Sequence, residues 1–580
     1  MDFKKFAGFL LAMLTFCSTA PVSEAADITN ETELTQLMTV DGGSGTILND
    51  ISTANAIENS VDVVLASSAG NKFALSGQDI TIATGKSLTL YDIDIINALN
   101  FVGSSSLIIG NGAETRGVSF GSIAGTARIL INSSMPVTFY HFVNAASFTV
   151  DSNSTSTVAL NNGLTLSSNY SQNGGTVNVA DGKVINAKEV QLNGGELILG
   201  ASSVLSATDT ANGKVTVSGG KINSTSGNKS GVIKATTGYQ QTGDGSVVNA
   251  ETLSVENGSA TLSGGTLTVT NLGTNSSKVS GNYIQTNGTL VAENAYIGGN
   301  AAISGGQATV NKYATVDGNV TVSGGSLTLK DGTASDSTMM RAGGTFNING
   351  GTVKVGNNSV LEVENDITAK GNMNLGSNAN VVSKSGSLTI DGVSVENSDK
   401  TAVLDINKTY TQKGNSTVTV SKINAKDVDI QGGTLNVSTL GTSGSALAGS
   451  YTQSGATSNV TADNLYTTGD ITLSAGTLKV SSNINSGSNI NVNGTLNFGG
   501  SAQATGDYNQ TGGSTTVADG MSISGANVSV SGGTVALGNG SKIESKTGDV
   551  TISGSSSVTN ASGSGSIKLL TIIFKKKLRR

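Results

Sequence analysis

Three kinds of side chain in this sequence could do chemistry: a lone histidine, two pairs of carboxylates and a repeated tyrosine. The histidine is His141, in the segment Tyr140-His141-Phe142. It has no second histidine with which to share a metal ion. We therefore interpret His141 as a packed or surface residue of a strand-like run rather than as a catalytic base.

The carboxylate pairs are Asp92/Asp94 and Asp427/Asp429. In a strand, residues two apart share a face about 6.5–7 Å from each other. That spacing could hold a cation or flank a glycosidic bond, and it is equally typical of a solvated outer face. Both interpretations stay open. Since the sequence has few arginines and lacks the calcium-binding Gly-Gly-x-Gly-x-Asp repeat, we predict no catalytic residue, no metal, no cofactor and no enzymatic activity.

The repeated tyrosine belongs to a Tyr-x-Gln element. Two residues of one strand separated by a single position point to the same face. A column of such pairs could stack on sugar rings, or it could hold neighbouring segments in register. The element occurs at Tyr170/Gln172, Tyr239/Gln241, Tyr283/Gln285, Tyr410/Gln412, Tyr451/Gln453 and Tyr508/Gln510.

A second element, Gly-Gly-Thr followed by alternating apolar residues, recurs at a nearly constant distance after Tyr-x-Gln. In Thr266-Leu267-Thr268-Val269 the apolar residues have period two, which predicts a short half-buried strand after a tight glycine corner. The element starts at Gly174, Gly264, Gly350, Gly432 and Gly532, with variants at Gly194, Gly324 and Ala475.

Short strands separated by sharp corners predict an all-β fold in which the chain winds into stacked coils, a parallel β-solenoid. Coils of about 20–25 residues are typical of such repeats. Stacked hairpins are the structural alternative, because glycine turns also build antiparallel pairs. Near-identical repeats favour stacking in register, and the two prolines of the whole chain fit a fold whose coils need their N–H groups for inter-coil bonds.

The two ends differ from the repeats. Residues 1–25, with Lys4, Lys5 and a short apolar run, predict a secretory signal peptide that also contains the lone cysteine, Cys17. We expect residues 26–150 to form a cap and the first, less regular coils, and we expect residues 151–565 to form the repetitive solenoid. Residues 566–580 form an atypical basic tail, for which we expect a truncated or frame-shifted product or a sorting tail.

Within the N-terminal region, Asn30-Glu31-Thr32-Glu33 is a capping-box pattern, and an apolar stripe follows at Leu34, Leu37 and Met38. This predicts a short helix that covers the open end of the solenoid. The first coils are expected at 78–82 and 87–90.

The charge of the chain bears on its partners. The formal net charge is −7, and removing both basic ends makes the remaining chain more acidic still. Such a chain repels phosphate backbones, so we expect no nucleic-acid partner. The regular placement of its apolar residues excludes a disordered low-complexity chain.

The export signal, the cysteine-free mature chain, the capping helix and the two repeated elements resemble the passenger region of Gram-negative autotransporter adhesins and related β-helix surface proteins. This resemblance covers most of the mature chain. It implies a right-handed parallel β-helix of the pectin-lyase-like kind, display at the cell surface, at the outer membrane or outside the cell, and an outer-membrane translocator that this sequence does not contain. The mature chain itself is expected to have no transmembrane segment.

The resemblance also implies a function. We expect an exported bacterial surface protein that mediates adhesion or aggregation as a rigid rod, with host-cell, matrix or sibling-cell surface molecules, glycans among them, as partners. The alternatives are a β-helix polysaccharide lyase or hydrolase that uses one of the two aspartate pairs, and a passive surface-coat component.

Overall fold

The computed structural model describes residues 25–68, 71–110, 114–225, 229–560 and 563–568, together with the backbone of 572–574. Residues 1–24 of the predicted signal segment and most of the basic tail lie outside the described residues. The chain divides into two compact units, one ending at Thr236 and the other starting at Thr237. Among the described helices, none has the length and apolar character needed to cross a bilayer.

Each unit is a stack of three-stranded coils. In one coil, Asn169–Gln172, Thr176–Val179 and Val184–Ala187 form three sides, and the chain then starts the next coil with Glu189–Leu192. Tyr170 pairs in parallel with Val190, and Val177 pairs in parallel with Leu197. We call the sides, in chain order, sheet 1, sheet 2 and sheet 3. The predicted parallel β-solenoid is therefore confirmed, the hairpin alternative is wrong, and the right-handed sense of the winding stays a prediction.

Sheet 1 carries the Tyr-x-Gln strands. In the N-terminal unit its strands are Ala26–Ile28, Gly43–Ile47, Val63–Ser67, Ser87–Tyr91, Ser106–Ile109, Arg128–Ile131, Ser147–Val150, Asn169–Gln172, Glu189–Leu192 and Lys214–Val217. In the C-terminal unit they are Gly238–Gln241, Ser259–Leu262, Tyr283–Gln285, Ala301–Ile303, Val320–Val322, Phe346–Ile348, Ile367–Ala369, Leu388–Asp391, Thr409–Lys413, Asp427–Ile430, Tyr451–Gln453, Ile471–Leu473, Ile490–Val492, Tyr508–Gln510, Val528–Val530, Val550–Ile552 and Ile572–Phe574.

Sheets 2 and 3 merge where one strand continues around a corner. Eight of the described strands do so: Ile93–Phe101, Val118–Gly125, Val247–Val255, Thr266–Leu272, Thr289–Ile297, Gln307–Val316, Thr417–Asn424 and Thr434–Leu440. Coil length varies more than expected, because Tyr283 pairs with Ala301 and Val320 pairs with Phe346, which are coils of 18 and 26 residues. The strand Ser566–Lys568 pairs with Lys542–Ser545. The domain boundaries drawn from the sequence remain a prediction.

The core is the narrow interior of each stack. Inward positions alternate with outward ones along every regular strand, as in Thr176–Val179, where Val177 and Val179 are buried. Each buried Val or Leu contributes about 1.5–3 kcal/mol, but only when the coils above and below cover it.

The predicted N-terminal helix is present. It spans Glu31–Gln36, and the Asn30 side chain accepts a hydrogen bond from the Glu33 backbone N–H at 3.0 Å. A short π-helical segment, Leu37–Asp41, continues it and buries Leu37 and Met38. The coils begin before the predicted residue 78. The alternation of the strand Gly43–Ile47 is hidden in the sequence, because the inward-facing Gly45 has no side chain and Leu37 fills the place it leaves.

Glycine corners precede the strands of sheet 2. Gly265 has a φ of +72°, and a Cβ atom there would lie 2.2 Å from the hydroxyl and 2.3 Å from the carbonyl of Ser246 in the preceding coil. Only glycine combines that backbone angle with so close an approach.

Candidate functional site

The Tyr-x-Gln residues lie inside the solenoid. All six tyrosines are at most 3% exposed, and all six glutamines are 0% exposed. Burial raises the pKa of the Tyr170, Tyr239 and Tyr410 hydroxyls well above the usual value, so they stay protonated hydrogen-bond donors. The interpretation of these tyrosines as a sugar-stacking surface is wrong, because no saccharide can reach them.

Each Tyr-x-Gln pair is one part of a hydrogen-bonded unit that joins two coils. In the coil of Tyr451, the tyrosine hydroxyl donates to Gln453 Oε1 at 2.7 Å, and Gln453 Nε2 donates to the Thr477 carbonyl of the next coil at 3.0 Å. The acceptor is always the first residue of the next sheet 2 strand. These acceptors are Glu196, Thr266, Gln307, Thr434, Thr477 and Thr534, at 2.9–3.0 Å.

This unit explains why the spacing between the two sequence elements is nearly constant. The distance from Tyr451 to Ala475-Gly476-Thr477 corresponds to one coil plus the corner that the glutamine amide reaches. The tyrosines do not form a continuous aromatic column, since Ala260 lies between Tyr239 and Tyr283 in register. Their role in holding coils together is confirmed, and it operates pair by pair.

A second polar column lies at the corner that precedes sheet 1 in the C-terminal unit. Asp470 accepts a hydrogen bond from the Asn489 backbone N–H at 2.9 Å, and Asn489 Oδ1 accepts one from the Asp507 backbone N–H at 2.9 Å. Asn527 and Asp549 continue the pattern. Charged and neutral side chains alternate, so carboxylates are never in adjacent coils along this run. Hydrogen bonds from the Ser488 hydroxyl and from the Asn489 backbone lower the pKa of Asp470.

The pair Asp92/Asp94 does not share a strand face as predicted. Asp92 is a corner residue with a φ of +55°, just before the strand Ile93–Phe101, so the alternation fails there. Its carboxylate accepts hydrogen bonds from the Thr115 and Arg116 backbone N–H groups at 3.2 and 2.5 Å. Asp94 faces outward, forms an ion pair with Lys72 at 2.7 Å and accepts a hydrogen bond from Ser119.

The pair Asp427/Asp429 has the predicted shared face, on the strand Asp427–Ile430. Asp427 Oδ1 accepts a hydrogen bond from the Ser450 backbone N–H of the next coil at 2.8 Å, and Asp429 accepts one from Gln431 Nε2 at 2.7 Å. Both pairs thus make bonds within the scaffold. The described residues contain no group of three or more acidic, histidine or cysteine side chains placed to hold a metal ion.

His141 lies in a turn rather than in a strand. The strands Val137–Phe139 and Val143–Ala145 flank the turn, and Tyr140-His141-Phe142 forms the corner between sheets 2 and 3. The predicted strand-like run is wrong here, because the three consecutive residues are all exposed, with Tyr140 57% and Phe142 40% exposed.

This corner forms one wall of an open groove of about 810 Å³ in the N-terminal unit. The opposite wall includes Ile96, which is 63% exposed and lies two coils earlier. Between them, the coil of Val118–Gly125 turns the same corner with one residue fewer, since the segment from Phe120 to Ile123 lies opposite Ile95 to Leu99 on one side and Phe139 to Val143 on the other. A recessed coil between two projecting ones creates the groove.

The groove combines apolar walls with polar groups. Besides the wall residues, Asp94, Ser119, Ser122, His141, Asn144 and Asn162 line it. The groove could not be predicted from the sequence, because it depends on which coil is recessed, and that is set by how many residues each coil uses at the corner. The available signal in the sequence was the segment Tyr140-His141-Phe142, whose large side chains interrupt a period-two pattern.

No family model, curated protein or solved structure matches this chain. The resemblance to autotransporter passengers therefore rests on the sequence elements and on the solenoid, and a function must be argued from the residues themselves.

Proposed function

We propose that this protein is an exported bacterial surface protein that mediates adhesion or aggregation, with its solenoid acting as a rigid scaffold for display. One observation carries the proposal: the side chains that could do chemistry form hydrogen bonds that hold the coils together. Tyr451 and Gln453 serve inter-coil hydrogen bonding, and so does Asp427. A fold that commits its repeats to stiffness suits the presentation of surfaces.

Two further features support export and display. The first 25 residues have the pattern of a secretory signal, and the rest of the sequence has no cysteine, so its stability rests on packing and hydrogen bonds. Outward strand positions are mostly short polar residues, such as Thr266 and Thr268, which tolerate an aqueous exterior. We place the protein at the cell surface or outside the cell, with surface molecules of host, matrix or sibling cells as partners.

The test compares cells that display the protein, cells that lack the gene and complemented cells. Surface amounts are measured with an antibody, and attachment to host-cell layers, to matrix-coated plates and between sibling cells is then counted. We expect attachment or aggregation to rise with the displayed amount. Equal behaviour of displaying and lacking cells in all three assays would refute the adhesive role.

The two alternatives have distinct signatures. A polysaccharide lyase or hydrolase would cleave acidic polysaccharides as purified protein and would lose that activity on substitution of Asp94 or Asp427. The hydrogen bonds and ion pair that occupy these carboxylates do not favour this alternative. A passive coat component would assemble into ordered arrays and would leave attachment unchanged.

A further inference from the structure

We infer that the groove between Ile96 and the Tyr140/Phe142 corner binds a neutral saccharide. This inference deepens the proposed function and rests on it for its biological meaning, because it names the ligand class that an adhesive surface would hold. The groove itself is a property of the N-terminal unit and can be tested on purified protein.

The shape of the groove suits a sugar ring. Its walls belong to coils two steps apart, and one step is about 4.8 Å, so the wall backbones are separated by roughly 10 Å. The floor is made of small residues, among them Ala98, Gly121 and Ser122. A Cβ atom at Gly121 would lie 2.7 Å from the Ile96 carbonyl, so the glycine lets the recessed coil pass close beneath the wall.

The chemistry of the lining also suits a sugar. The C–H groups on one face of a pyranose carry partial positive charge and pack against the negative face of an aromatic ring, here Tyr140 or Phe142. The hydroxyl groups at the edge of the sugar need donors and acceptors, which Ser122, Asn144 and Asn162 supply. Apolar walls with a few polar groups between them are typical of ligand sites.

The charges favour a neutral sugar over an acidic one. Asp94 is the only carboxylate of the lining, and Lys72 neutralises it across 2.7 Å. No lysine or arginine is among the lining residues. An acidic sugar would therefore bring its carboxylate into a groove that is lined by Asp94 and by no lysine or arginine.

A peptide strand is the less suitable occupant. Peptides that add to a sheet need an unpaired strand edge. The floor strand Val118–Gly125 is paired on one side with Ile93–Phe101 and on the other with Val137–Phe139 and Val143–Ala145. The backbone of the groove is therefore already committed to neighbouring coils.

Phe142, one ring of the aromatic wall, packs against the next coil before any ligand binds. The Phe142 ring lies over Gly163 of the next coil, 3.3 Å from the position that a Cβ atom would occupy there. Asn162, beside that glycine, accepts a hydrogen bond from Lys183 Nζ at 3.0 Å. Side chains that are ordered in advance lose less entropy on binding.

The test is calorimetric titration of the full mature chain with hexasaccharides of glucose, mannose, galactose and N-acetylglucosamine, and with hexagalacturonate as the acidic comparator. Three variants accompany the parent. Tyr140→Ala/Phe142→Ala removes the aromatic wall, and Ser122→Trp fills the floor. Tyr466→Ala is the matched control, because this tyrosine also faces outward from the solenoid but lies far along the sequence in the other unit. Circular dichroism checks that each variant keeps its strands.

We expect at least one neutral hexasaccharide to bind, to bind at least tenfold more weakly after loss of the two rings or after filling of the floor, and to be unaffected by Tyr466→Ala. The inference is overturned if no neutral hexasaccharide binds at 10 mM, if hexagalacturonate binds tenfold better, or if both folded groove variants bind like the parent. Cells that adhere without saccharide binding would refute the groove assignment alone. Saccharide binding without adhesion would refute the proposed function alone.

Discussion

The hydrogen-bonded unit of Tyr451, Gln453 and Thr477 gives the most exacting prediction. Tyr451→Phe removes the hydroxyl that donates to Gln453 at 2.7 Å. Gln453→Met keeps the length of the side chain but removes both the acceptor for the tyrosine and the donor to the Thr477 carbonyl. Both side chains are fully buried, so water cannot replace the lost partners.

The magnitudes follow from the number of buried groups that lose a partner. A buried polar group without a partner costs about 1–3 kcal/mol. Tyr451→Phe leaves one such atom and should cost about 1–2 kcal/mol. Gln453→Met leaves the tyrosine hydroxyl without its acceptor and removes the amide hydrogen bonds to the Thr477 carbonyl and the Ser458 hydroxyl, and should cost about 2–4 kcal/mol. In the double variant the stranded hydroxyl is gone, so the two costs should fall short of additivity by about 1–2 kcal/mol.

Hydrogen exchange read by mass spectrometry is the suitable assay, because a stack of coils opens locally and one global unfolding energy does not describe it. Peptides that cover 451–480 should exchange about five- to thirtyfold faster in Tyr451→Phe and about thirtyfold or more faster in Gln453→Met, since 1.4 kcal/mol corresponds to a factor of ten. Peptides around Tyr239 and Thr266 contain the same unit and serve as the internal control. Unchanged protection in both single variants, or strictly additive effects in the double variant, would refute the reasoning.

Three further predictions concern the corners. Gly265→Ala and Gly182→Ala both force alanine into a positive φ at a cost of about 1–2 kcal/mol. Only at Gly265 would the new Cβ atom also collide with the preceding coil, so local hydrogen exchange should show Gly265→Ala to be clearly the more destabilising. Asn489→Asp places carboxylates in three adjacent coils, with Asp470 and Asp507 as neighbours. Repulsion over about 5 Å should destabilise this region by about 1–3 kcal/mol at pH 7. Protection from hydrogen exchange should recover in 1 M salt or at pH 3. Because the pKa of Asp470 is lowered on folding, the stabilisation from its carboxylate is complete above the usual aspartate pKa and is lost as pH falls through the lowered value. Hydrogen exchange measured from pH 5 to pH 2 should show this loss, and the Asp470→Asn variant should not show it.

Much of the fold could be predicted from the sequence, because period-two alternation and glycine corners are local signals. The alternation in Thr266-Leu267-Thr268-Val269 predicts which face is buried, and Leu267 and Val269 are buried in the structure. The N-terminal helix was equally accessible from its cap at Asn30. The earlier coils were not, because Gly45 has no side chain to mark its inward position.

The site was less accessible, because it depends on contacts between coils. The spacing of Asp92 and Asp94 predicts a shared face, but the positive φ of Asp92 moves it to a corner. Tyr140 and Phe142 look like strand residues, but the coil of Val118–Gly125 uses one residue fewer at the corner and leaves them projecting over a groove. A one-residue difference between neighbouring coils has no sequence signature as clear as the Gly-Gly corner.

Parallel stacking of coils in register is the central claim, and engineered disulfides test it most directly. In a Cys17→Ser background, Thr452→Cys/Thr472→Cys joins direct partners in adjacent coils, and Thr452→Cys/Asn491→Cys joins positions two coils apart. Adjacent parallel strands lie about 4.8 Å apart, which a disulfide can span, whereas two steps exceed the limit of about 7 Å. The stacked-coil structure predicts rapid, complete oxidation of the first pair and none of the second. Failure of the first pair to form a disulfide, or equal cross-linking of both pairs, would contradict it.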